Sequence, residues 1–301
     1  MTRAPWTGCG TALVTPFAPN GSVDESALRR LVRRQIAGGI HFLVPCGTTG
    51  ESPTLTAAER RRIVEIVVEE AAGRVPVLAG AGGYNTAEVI ETGLEMRRAG
   101  ANGLLSVTPY YNKPTQEGLY QHYLAIAEGT GLPIIVYNVP GRTGCNVEVG
   151  TIVRLATIPG IAGVKEASGN MTQICEVCRA VPDSFVVLSG DDALTLPVMA
   201  VGGRGVISVA SNEVPAAMAA LVETAEAGDY AGARARHASL MPLMQVNFVE
   251  SNPIPVKAAM AMMGLLDERY RLPLVPLKPE SRARLAAVLE SQGLLAAANA
   301  A

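Results

Sequence analysis

The segment Ile161-Ala-Gly-Val-Lys165-Glu166 places a lysine at the end of an apolar run that is typical of a short buried β-strand. The chain contains four lysines against 21 arginines, and only Lys165 ends such a run. An ammonium group at that position is partly desolvated, which favours the neutral, nucleophilic amine that forms Schiff bases with carbonyl compounds. Taken alone, the segment favours a strand-end lysine that extends to water or pairs with Glu166. The rest of the chain reverses that preference.

Eight strand-like runs alternate with helical segments along the chain. Several of them are apolar with little alternation, which is typical of parallel strands that are covered on both faces. The pattern predicts an α/β fold of the (β/α)8 TIM-barrel type, for which about 250 residues are usual. A doubly wound sheet is the alternative, but it usually has fewer strands and a phosphate-binding fingerprint after the first one. The predicted strands are Thr11–Thr15, Ile40–Cys46, Val75–Ala79, Gly103–Thr108, Pro133–Asn138, Ile161–Lys165, Phe185–Ser189 and Gly205–Val209.

Local signals predict where the helices begin and end. Ser22-Val-Asp-Glu25 and Thr56-Ala-Ala-Glu59 have the spacing of capping boxes. Gly38-Gly39, Gly73 and Gly100 fall where helices should stop. These signals support the alternation of strands and helices that the barrel requires.

The barrel is expected to occupy residues 1–229, and a C-terminal helical extension is expected over residues 230–301. The second part is rich in Ala, Leu and Met, and no low-complexity linker separates it from the first. Three helices are predicted there, over Tyr230–Val249, from Asn252–Lys257 onward, and over Pro279–Ala298.

Composition narrows the classes of function. Hydrophobic residues make up 49% of the chain and charged residues 17%, so a large core is expected and disorder is not. The net charge is −2 and no basic run occurs, so nucleic acid is not an expected partner. No apolar run approaches membrane-spanning length, and the segment 1–6 lacks the apolar region of a signal peptide. A cytoplasmic protein without a membrane partner is therefore expected.

The cysteines and histidines do not suggest a metal site. Five cysteines in a non-secreted chain indicate free thiols, and the three histidines are scattered. Cys175-Glu-Val-Cys178 lies in a helix-like stretch without a second ligand pair, so helix packing is favoured over zinc or redox chemistry. Asp191-Asp192 lacks a third carboxylate and is interpreted as a helix N-cap. No metal or organic cofactor is expected.

In a (β/α)8 barrel the active site lies at the C-terminal ends of the strands, which selects the remaining candidates. The loop Gly47-Thr48-Thr49-Gly50 is either an ordinary turn or a carboxylate-binding loop, with neither favoured. Tyr137 lies at the end of the fifth strand. It is either an ordinary aromatic strand residue or an acid/base group near Lys165. Arg142 is either a solvated loop residue, the usual outcome, or a bidentate carboxylate clamp. Further strand-end candidates are Tyr110, Tyr111, Gly190 and Ile207.

The whole chain resembles the dihydrodipicolinate synthase family, within the pyruvate Schiff-base aldolase superfamily that also includes N-acetylneuraminate lyase. Gly-Thr-Thr-Gly-Glu and the strand-six lysine are marks of the superfamily, and the Arg142-Thr-Gly144 that follows Tyr137 points to the synthases. Gly141 departs from the family, which often has serine there. The matching segments are Gly10–Phe17, Gly47–Ser52, Val107–Pro114, Val136–Gly144, Gly163–Ser168, Ser189–Asp192, Gly205–Val209 and Asn252–Lys257.

The resemblance implies a lyase that condenses pyruvate with L-aspartate 4-semialdehyde in the diaminopimelate route of lysine biosynthesis. It implies that Lys165 forms the Schiff base and that Tyr137, Thr48 and Tyr111 form a proton relay. Thr49 and Ile207 are implied at the pyruvate end, and Arg142 is implied to bind the carboxylate of the semialdehyde. Gly190 is implied as a further substrate-binding residue.

The resemblance also implies a homotetramer, built as a dimer of dimers, in which Tyr111 enters the site of the neighbouring subunit. Lysine-sensitive relatives often have histidines where this chain has Ala57 and Arg60, so weak or absent inhibition by lysine is expected. Two alternatives remain open, a sugar-acid aldolase of the same superfamily and a catalytically silent barrel that binds small acids.

Overall fold

The structure, a computed structural model, describes residues 5–295. Eight parallel strands are hydrogen-bonded in the order β2-β1-β8-β7-β6-β5-β4-β3. A parallel bridge between Leu43 and Val77 joins the two ends of this order and closes a barrel. The predicted (β/α)8 fold is thereby confirmed. The strands are β1 Gly8–Ala12, β2 Phe42–Val44, β3 Leu78–Gly80, β4 Gly103–Val107, β5 Ile134–Asn138, β6 Ile161–Glu166, β7 Val186–Ser189 and β8 Gly205–Ser208.

Helices connect the strands and continue beyond the last one. The barrel helices are α1 Glu25–Ala37, α2 Ala57–Ala71, α3 Thr86–Arg98, α4 Gln116–Thr130, α5 Pro140–Thr143, α6 Val149–Leu155, α7 Met171–Ala180, α8 Thr195–Ala200 and α9 Pro215–Glu226. The extension contributes α10 Tyr230–Val246, α11 Ile254–Met262 and α12 Pro279–Ser291. Short 3-10 turns cover Ser52–Thr54, Asp192–Leu194 and Ala210–Asn212. Between residues 5 and 295, none of the helices is both long and apolar enough to span a bilayer.

The first strand differs from its prediction, because β1 begins at Gly8 and not at Thr11. Gly8 pairs with Gly205 of β8, so the strand must start early enough to reach that neighbour. Gly10 lies against the ring of Phe42, and a Cβ at Gly10 would overlap that ring. Close packing inside the barrel therefore requires a glycine at this position of β1. The other strands overlap their predicted runs.

One of the two predicted capping boxes is confirmed. The Thr56 hydroxyl accepts from the N–H of Glu59, and the Glu59 carboxylate accepts from the N–H of Thr56. The prediction at Ser22 is wrong, because the cap of α1 is Asp24, whose carboxylate accepts from the N–H of Ala27 at 2.9 Å. Ser22 instead lies in the preceding turn, bonded to Asn20.

The alternation of side chains along β6 sets the direction of Lys165. Val164 belongs to the apolar layer between strands and helices, whereas Tyr137 of β5 belongs to the cluster inside the barrel. Lys165 is the register partner of Tyr137 and follows Val164, so its side chain enters the barrel interior. Glu166, the next residue, faces the helix layer on the other side.

The extension has an apolar cluster of its own, in which α10 and α11 pack against α12. Helix α10 is shorter than predicted and ends at Val246, and α12 ends at Ser291. The last residues of the predicted helix over Pro279–Ala298 lie outside the described residues. A division between residues 229 and 230 stays a prediction, since α10 also packs closely against α9 of the barrel.

Candidate active site

Lys165 and Tyr137 are buried together at the C-terminal end of the barrel. Lys165 is 5% exposed, and its Nζ lies 4.3 Å from the centroid of the Tyr137 ring. Within residues 5–295 Lys165 forms no ion pair, and Glu166 points away from it. Lys165 is held against an aromatic face, so it neither extends to water nor pairs with Glu166. This geometry suits an amine that attacks a carbonyl carbon.

Glu166 is held in a polar network behind the catalytic strands. Its carboxylate accepts from Asn138 Nδ2 at 3.1 Å, from Gln173 Nε2 at 3.2 Å and from the N–H of Ser168 at 2.7 Å. Asn138 Nδ2 also donates to Asn146 Oδ1. The network ties the ends of β5 and β6 to α7 and so fixes the strands that carry Tyr137 and Lys165. Apart from the polar residues at both strand ends, no sequence signal indicated this network.

A cavity of about 140 Å³ lies at the mouth of the barrel. It brings together six of the eight predicted site residues, and a second cavity of about 290 Å³ shares three of them and extends to Tyr110. Arg142 is exposed at this opening, so a carboxylate can reach it from solvent. The six residues are Thr48, Thr49, Tyr137, Arg142, Lys165 and Gly190.

Gly190 provides room beside the amine. A Cβ at this position would lie 3.1 Å from Lys165 Cε and 2.6 Å from the Cβ of Ala167. Any larger side chain would therefore press on the lysine stem. The absence of a side chain leaves the space that an adduct on Lys165 needs.

Two predicted residues lie elsewhere in the structure. Ile207 is fully buried in the apolar cluster inside the barrel, together with Tyr137 and Leu188, and does not line the described cavity. Tyr111 is 91% exposed and has a positive φ of 65°, so its ring projects from the surface. Its neighbour Tyr110 lines the larger cavity and contacts Tyr84 edge to face. The roles of Ile207 and Tyr111 stay predictions.

The extension supplies cavity residues that the sequence analysis did not single out. Asn252 Nδ2 donates to Thr49 Oγ1 at 3.0 Å, and the carbonyl oxygen of Asn252 lies 3.4 Å from a guanidinium nitrogen of Arg142. Phe248 lines the same cavity and is half exposed. The motif Asn252–Lys257 was noticed as a family segment, but nothing local to it indicates contact with the loop after β2.

Lys257 is a second buried lysine, and it has a different environment. Its Nζ donates to Glu51 at 2.5 Å, and both side chains are fully buried. The Arg271 N–H also donates to Glu51, and the Arg271 guanidinium pairs with Glu59. Since Lys257 is sealed from the cavity and committed to a carboxylate, it cannot serve as the nucleophile. Instead it anchors the end of the Gly47–Glu51 loop to α11.

Asp191 and Asp192, which follow β7, bond to backbone groups, and the cysteines of α7 do not indicate a reactive thiol pair. Asp192 is buried and accepts from the N–H groups of Val209 and Ala210, each at 2.9 Å, and burial raises its pKa. Asp191 caps the following 3-10 turn, as predicted. Burial raises the pKa of Cys178 to about 11, which disfavours a reactive thiolate at Cys178. No three His, Cys, Asp or Glu side chains within residues 5–295 are grouped to hold a metal.

A parallel barrel with a buried lysine amine at its mouth, which forms no ion pair within residues 5–295, is the arrangement of lyases that act through a lysine Schiff base. The chain is an enzyme of this class. Residues 5–292 match the model of the dihydrodipicolinate synthetase family, and the chain belongs to that family.

Individual relatives agree over nearly the whole length. The 4-hydroxy-tetrahydrodipicolinate synthase of Koribacter versatilis is 54% identical over 289 residues, which is 96% of each chain. The dihydrodipicolinate synthase structure from Thermotoga maritima superposes with a TM-score of 0.95 at 45% identity, covering 97% of this chain and all of that one. The enzyme from Acinetobacter baumannii, solved in complex with pyruvate, has a TM-score of 0.94 at 43% identity, covering 96% and 99%.

Proposed function

We propose that this chain condenses pyruvate with L-aspartate 4-semialdehyde, which is the 4-hydroxy-tetrahydrodipicolinate synthase reaction of lysine biosynthesis. The observation that carries the proposal is the buried amine of Lys165, which forms no ion pair within residues 5–295 and lies in a cavity that Arg142 also lines. Family membership and the pyruvate complex of the Acinetobacter relative support the choice of substrates.

Lys165 begins the reaction as a nucleophile. Its neutral amine attacks the ketone carbon of pyruvate, and loss of water leaves an iminium ion on Nζ. The iminium withdraws electrons, so a proton leaves the pyruvate methyl group and an enamine forms. The enamine carbon attacks the aldehyde carbon of the second substrate, and the aldehyde oxygen takes up a proton. The amino group of the semialdehyde then attacks the imine carbon, closes the ring and releases Lys165.

Tyr137 is proposed to transfer the protons. Its ring lies against Lys165 Nζ, and it shares the cavity with Thr48, through which a relay would continue to Tyr111. Arg142 is proposed to bind the carboxylate of the semialdehyde, Thr49 and Ile207 are proposed at the pyruvate end, and Gly190 is proposed as a further substrate-binding residue. No metal or organic cofactor enters this scheme, because the lysine iminium is itself the electron sink.

Tyr111 connects the chemistry to assembly. The 91% exposure of Tyr111, next to Tyr110 at the larger cavity, supports a role for Tyr111 in a second subunit. We propose a homotetramer, built as a dimer of dimers, in which Tyr111 completes the relay of the neighbouring site. We also propose a cytoplasmic location, consistent with a biosynthetic enzyme.

Borohydride reduction in the presence of pyruvate tests the proposal directly. Mass spectrometry is expected to find one reduced pyruvyl group on Lys165, and Lys165→Ala is expected to lose it. Lys257→Ala is not a suitable control because Lys257 pairs with Glu51, so Lys278→Ala, at the start of α12, is the matched control. A parallel assay compares aspartate semialdehyde with N-acetylneuraminate and keto-deoxy sugar acids. Labelling at another lysine, or turnover of the sugar acids alone, would refute the proposal.

A further inference from the structure

Asn252 touches both ends of the candidate site from outside the barrel. Its side-chain nitrogen donates to Thr49 Oγ1 at 3.0 Å, and its backbone oxygen lies 3.4 Å from the Arg142 guanidinium. Asn252 is 6% exposed and lines the cavity that contains Lys165. One residue of the extension therefore contacts a group proposed for pyruvate and a group proposed for the semialdehyde.

The direction of the Asn252–Thr49 hydrogen bond determines what the Thr49 hydroxyl can do. A hydroxyl has one donor proton and two acceptor lone pairs. Since Thr49 accepts from Asn252, its proton stays available for another acceptor. Thr49 lies in the cavity with Lys165, where the carboxylate of a pyruvate bound to Lys165 would be that acceptor. A carboxylate binds strongly to a donor that is already oriented, since less rotational entropy is lost.

We infer that Asn252 is a positioning residue for pyruvate: it orients the Thr49 hydroxyl as a donor to the pyruvate carboxylate, whereas its backbone oxygen holds Arg142. The inference rests on the proposed function, since it assumes that pyruvate binds at Lys165. The side chain of Asn252 contacts Thr49 and its backbone oxygen contacts Arg142, so a side-chain substitution removes the first contact and keeps the second.

The side chain of Asn252 is expected to affect the use of pyruvate, whereas its backbone is expected to affect the use of the semialdehyde. Asn252→Ala removes the donor to Thr49 but keeps the carbonyl that contacts Arg142. The loss of one orienting hydrogen bond is expected to raise the pyruvate concentration for half-maximal trapping about tenfold. The KM of the semialdehyde at saturating pyruvate is expected to stay nearly unchanged. Asn252→Asp is expected to be at least as impaired, because an ionised carboxylate can only accept and would take the Thr49 proton.

A double-variant comparison tests whether Asn252 acts through Thr49. The pyruvate dependence of borohydride trapping is measured for the wild type, Asn252→Ala, Thr49→Val and the double variant. The double variant is expected to match Thr49→Val, since the hydroxyl that Asn252 orients is already gone. Effects that multiply would show independent roles and overturn the inference.

Asn247→Ala is the matched structural control. Asn247 is another buried amide at the end of α10, and it donates to Glu213 at 2.6 Å, away from the cavity. This variant is expected to lower the Tm without changing the pyruvate dependence. An equal shift in both amide variants would overturn the inference, and so would an Asn252→Ala enzyme with wild-type pyruvate dependence. If Asn252→Ala does not fold, the isosteric Asn252→Asp provides the comparison. A wild type that is not trapped at Lys165 would refute the proposed function itself.

Discussion

Tyr137 and Lys165 are register partners on adjacent strands, and the amine of Lys165 lies 4.3 Å from the centre of the Tyr137 ring. The ring and the hydroxyl of Tyr137 therefore have separable roles. The ring packs against the amine and can stabilise the iminium ion once it has formed on Nζ. The hydroxyl is the group that can carry a proton.

Tyr137→Phe is expected to separate these roles. The ring that positions Lys165 stays in place, so trapping of pyruvate by borohydride should persist. Turnover should fall by about 10²–10⁴-fold, which is the usual contribution of a general acid or base. Trapping and steady-state rates measured on the same preparation check the prediction. Tyr120→Phe is the control, since Tyr120 packs against Arg154 away from the cavity. Near-normal turnover in Tyr137→Phe would show that another group transfers the proton.

Arg142→Ala is expected to weaken use of the semialdehyde far more than that of pyruvate. Loss of a charge-assisted, bidentate contact should remove about 2–4 kcal/mol of transition-state binding. The measurement is kcat/KM for each substrate at saturating levels of the other. Arg154→Ala, which removes a surface arginine paired with Glu117, is the matched control. Unchanged semialdehyde kinetics in Arg142→Ala would contradict the clamp and favour a sugar-acid substrate.

Mixing of two inactive variants is expected to restore activity if Tyr111 completes a neighbouring site. Lys165→Ala lacks the nucleophile, and Tyr111→Phe lacks the end of the relay. A hybrid oligomer contains some sites with both residues intact, so partial turnover should return after subunit exchange. Native mass spectrometry confirms that mixed oligomers form. If they form and stay inactive, Tyr111 acts within its own chain or has no part in the relay.

Weak inhibition by lysine is expected from the charge near a third cavity. This cavity, of about 240 Å³, is lined by Arg60, Tyr84, Glu88 and Tyr110, among others. Arg60 would repel the ammonium groups of a bound lysine, and Ala57, where sensitive relatives often have a histidine, lies outside the lining of this cavity and has no side-chain acceptor. The combined loss is on the order of 3 kcal/mol, or a hundredfold or more in affinity.

A lysine titration of initial rates at saturating pyruvate is the measurement, with half-inhibition expected only above the millimolar range. Arg60→Ala should increase sensitivity, because it removes the repulsive charge. Half-inhibition of the unmodified enzyme at micromolar lysine would show that the charge at this cavity does not control binding.

The stability of the fold is expected to decrease in mild acid because of His122. His122 is buried and bonded to Thr86 at 2.9 Å, and burial lowers its pKa to about 4, against 6.5 in the unfolded chain. The unfolded state therefore binds more protons than the folded state as the pH falls. The contribution of neutral His122 to the free energy of unfolding is complete above pH 6.5 and is lost as the pH falls through 4. The maximum loss is about 3 kcal/mol.

Urea unfolding of His122→Gln between pH 7 and pH 4 checks this expectation. The variant keeps a polar group near Thr86 but has no proton to gain, so its free energy of unfolding should change less with pH. Burial also lowers the pKa of His237, which adds a slope of the same sign, so part of the dependence should remain. An identical pH dependence in the two proteins would contradict the assignment.

Local patterns predicted most of the fold and indicated Lys165 as a lysine at the end of a buried strand. The apolar run before Lys165 and the reciprocal bonds of Thr56 and Glu59 are set by neighbours in the sequence, so they can be recognised there. The choice of Asp24 over Ser22 as a cap was not predictable, because both are good caps. The Asp24 N–H bonds to the carbonyl of Pro16, which fixes the turn only in the folded chain.

The contacts that were missed join distant parts of the chain. Asn252 and Thr49 are 203 residues apart, and Lys257 and Glu51 are 206 residues apart. In the sequence, Glu51 resembles any loop carboxylate, and Lys257 any helix lysine. Only the packing of α11 against the barrel mouth makes them partners, so no spacing rule could have paired them.

The Lys257–Glu51 pair has a consequence for protein engineering. Because α11 holds the loop that carries Thr48 and Thr49, the last quarter of this chain cannot be exchanged freely between homologues. A chimaera that takes its extension from a barrel with an uncharged residue in place of Lys257 would leave Glu51 buried without its counter-charge. Recombination of such enzymes succeeds only when the loop after β2 and the helix α11 are inherited from the same parent.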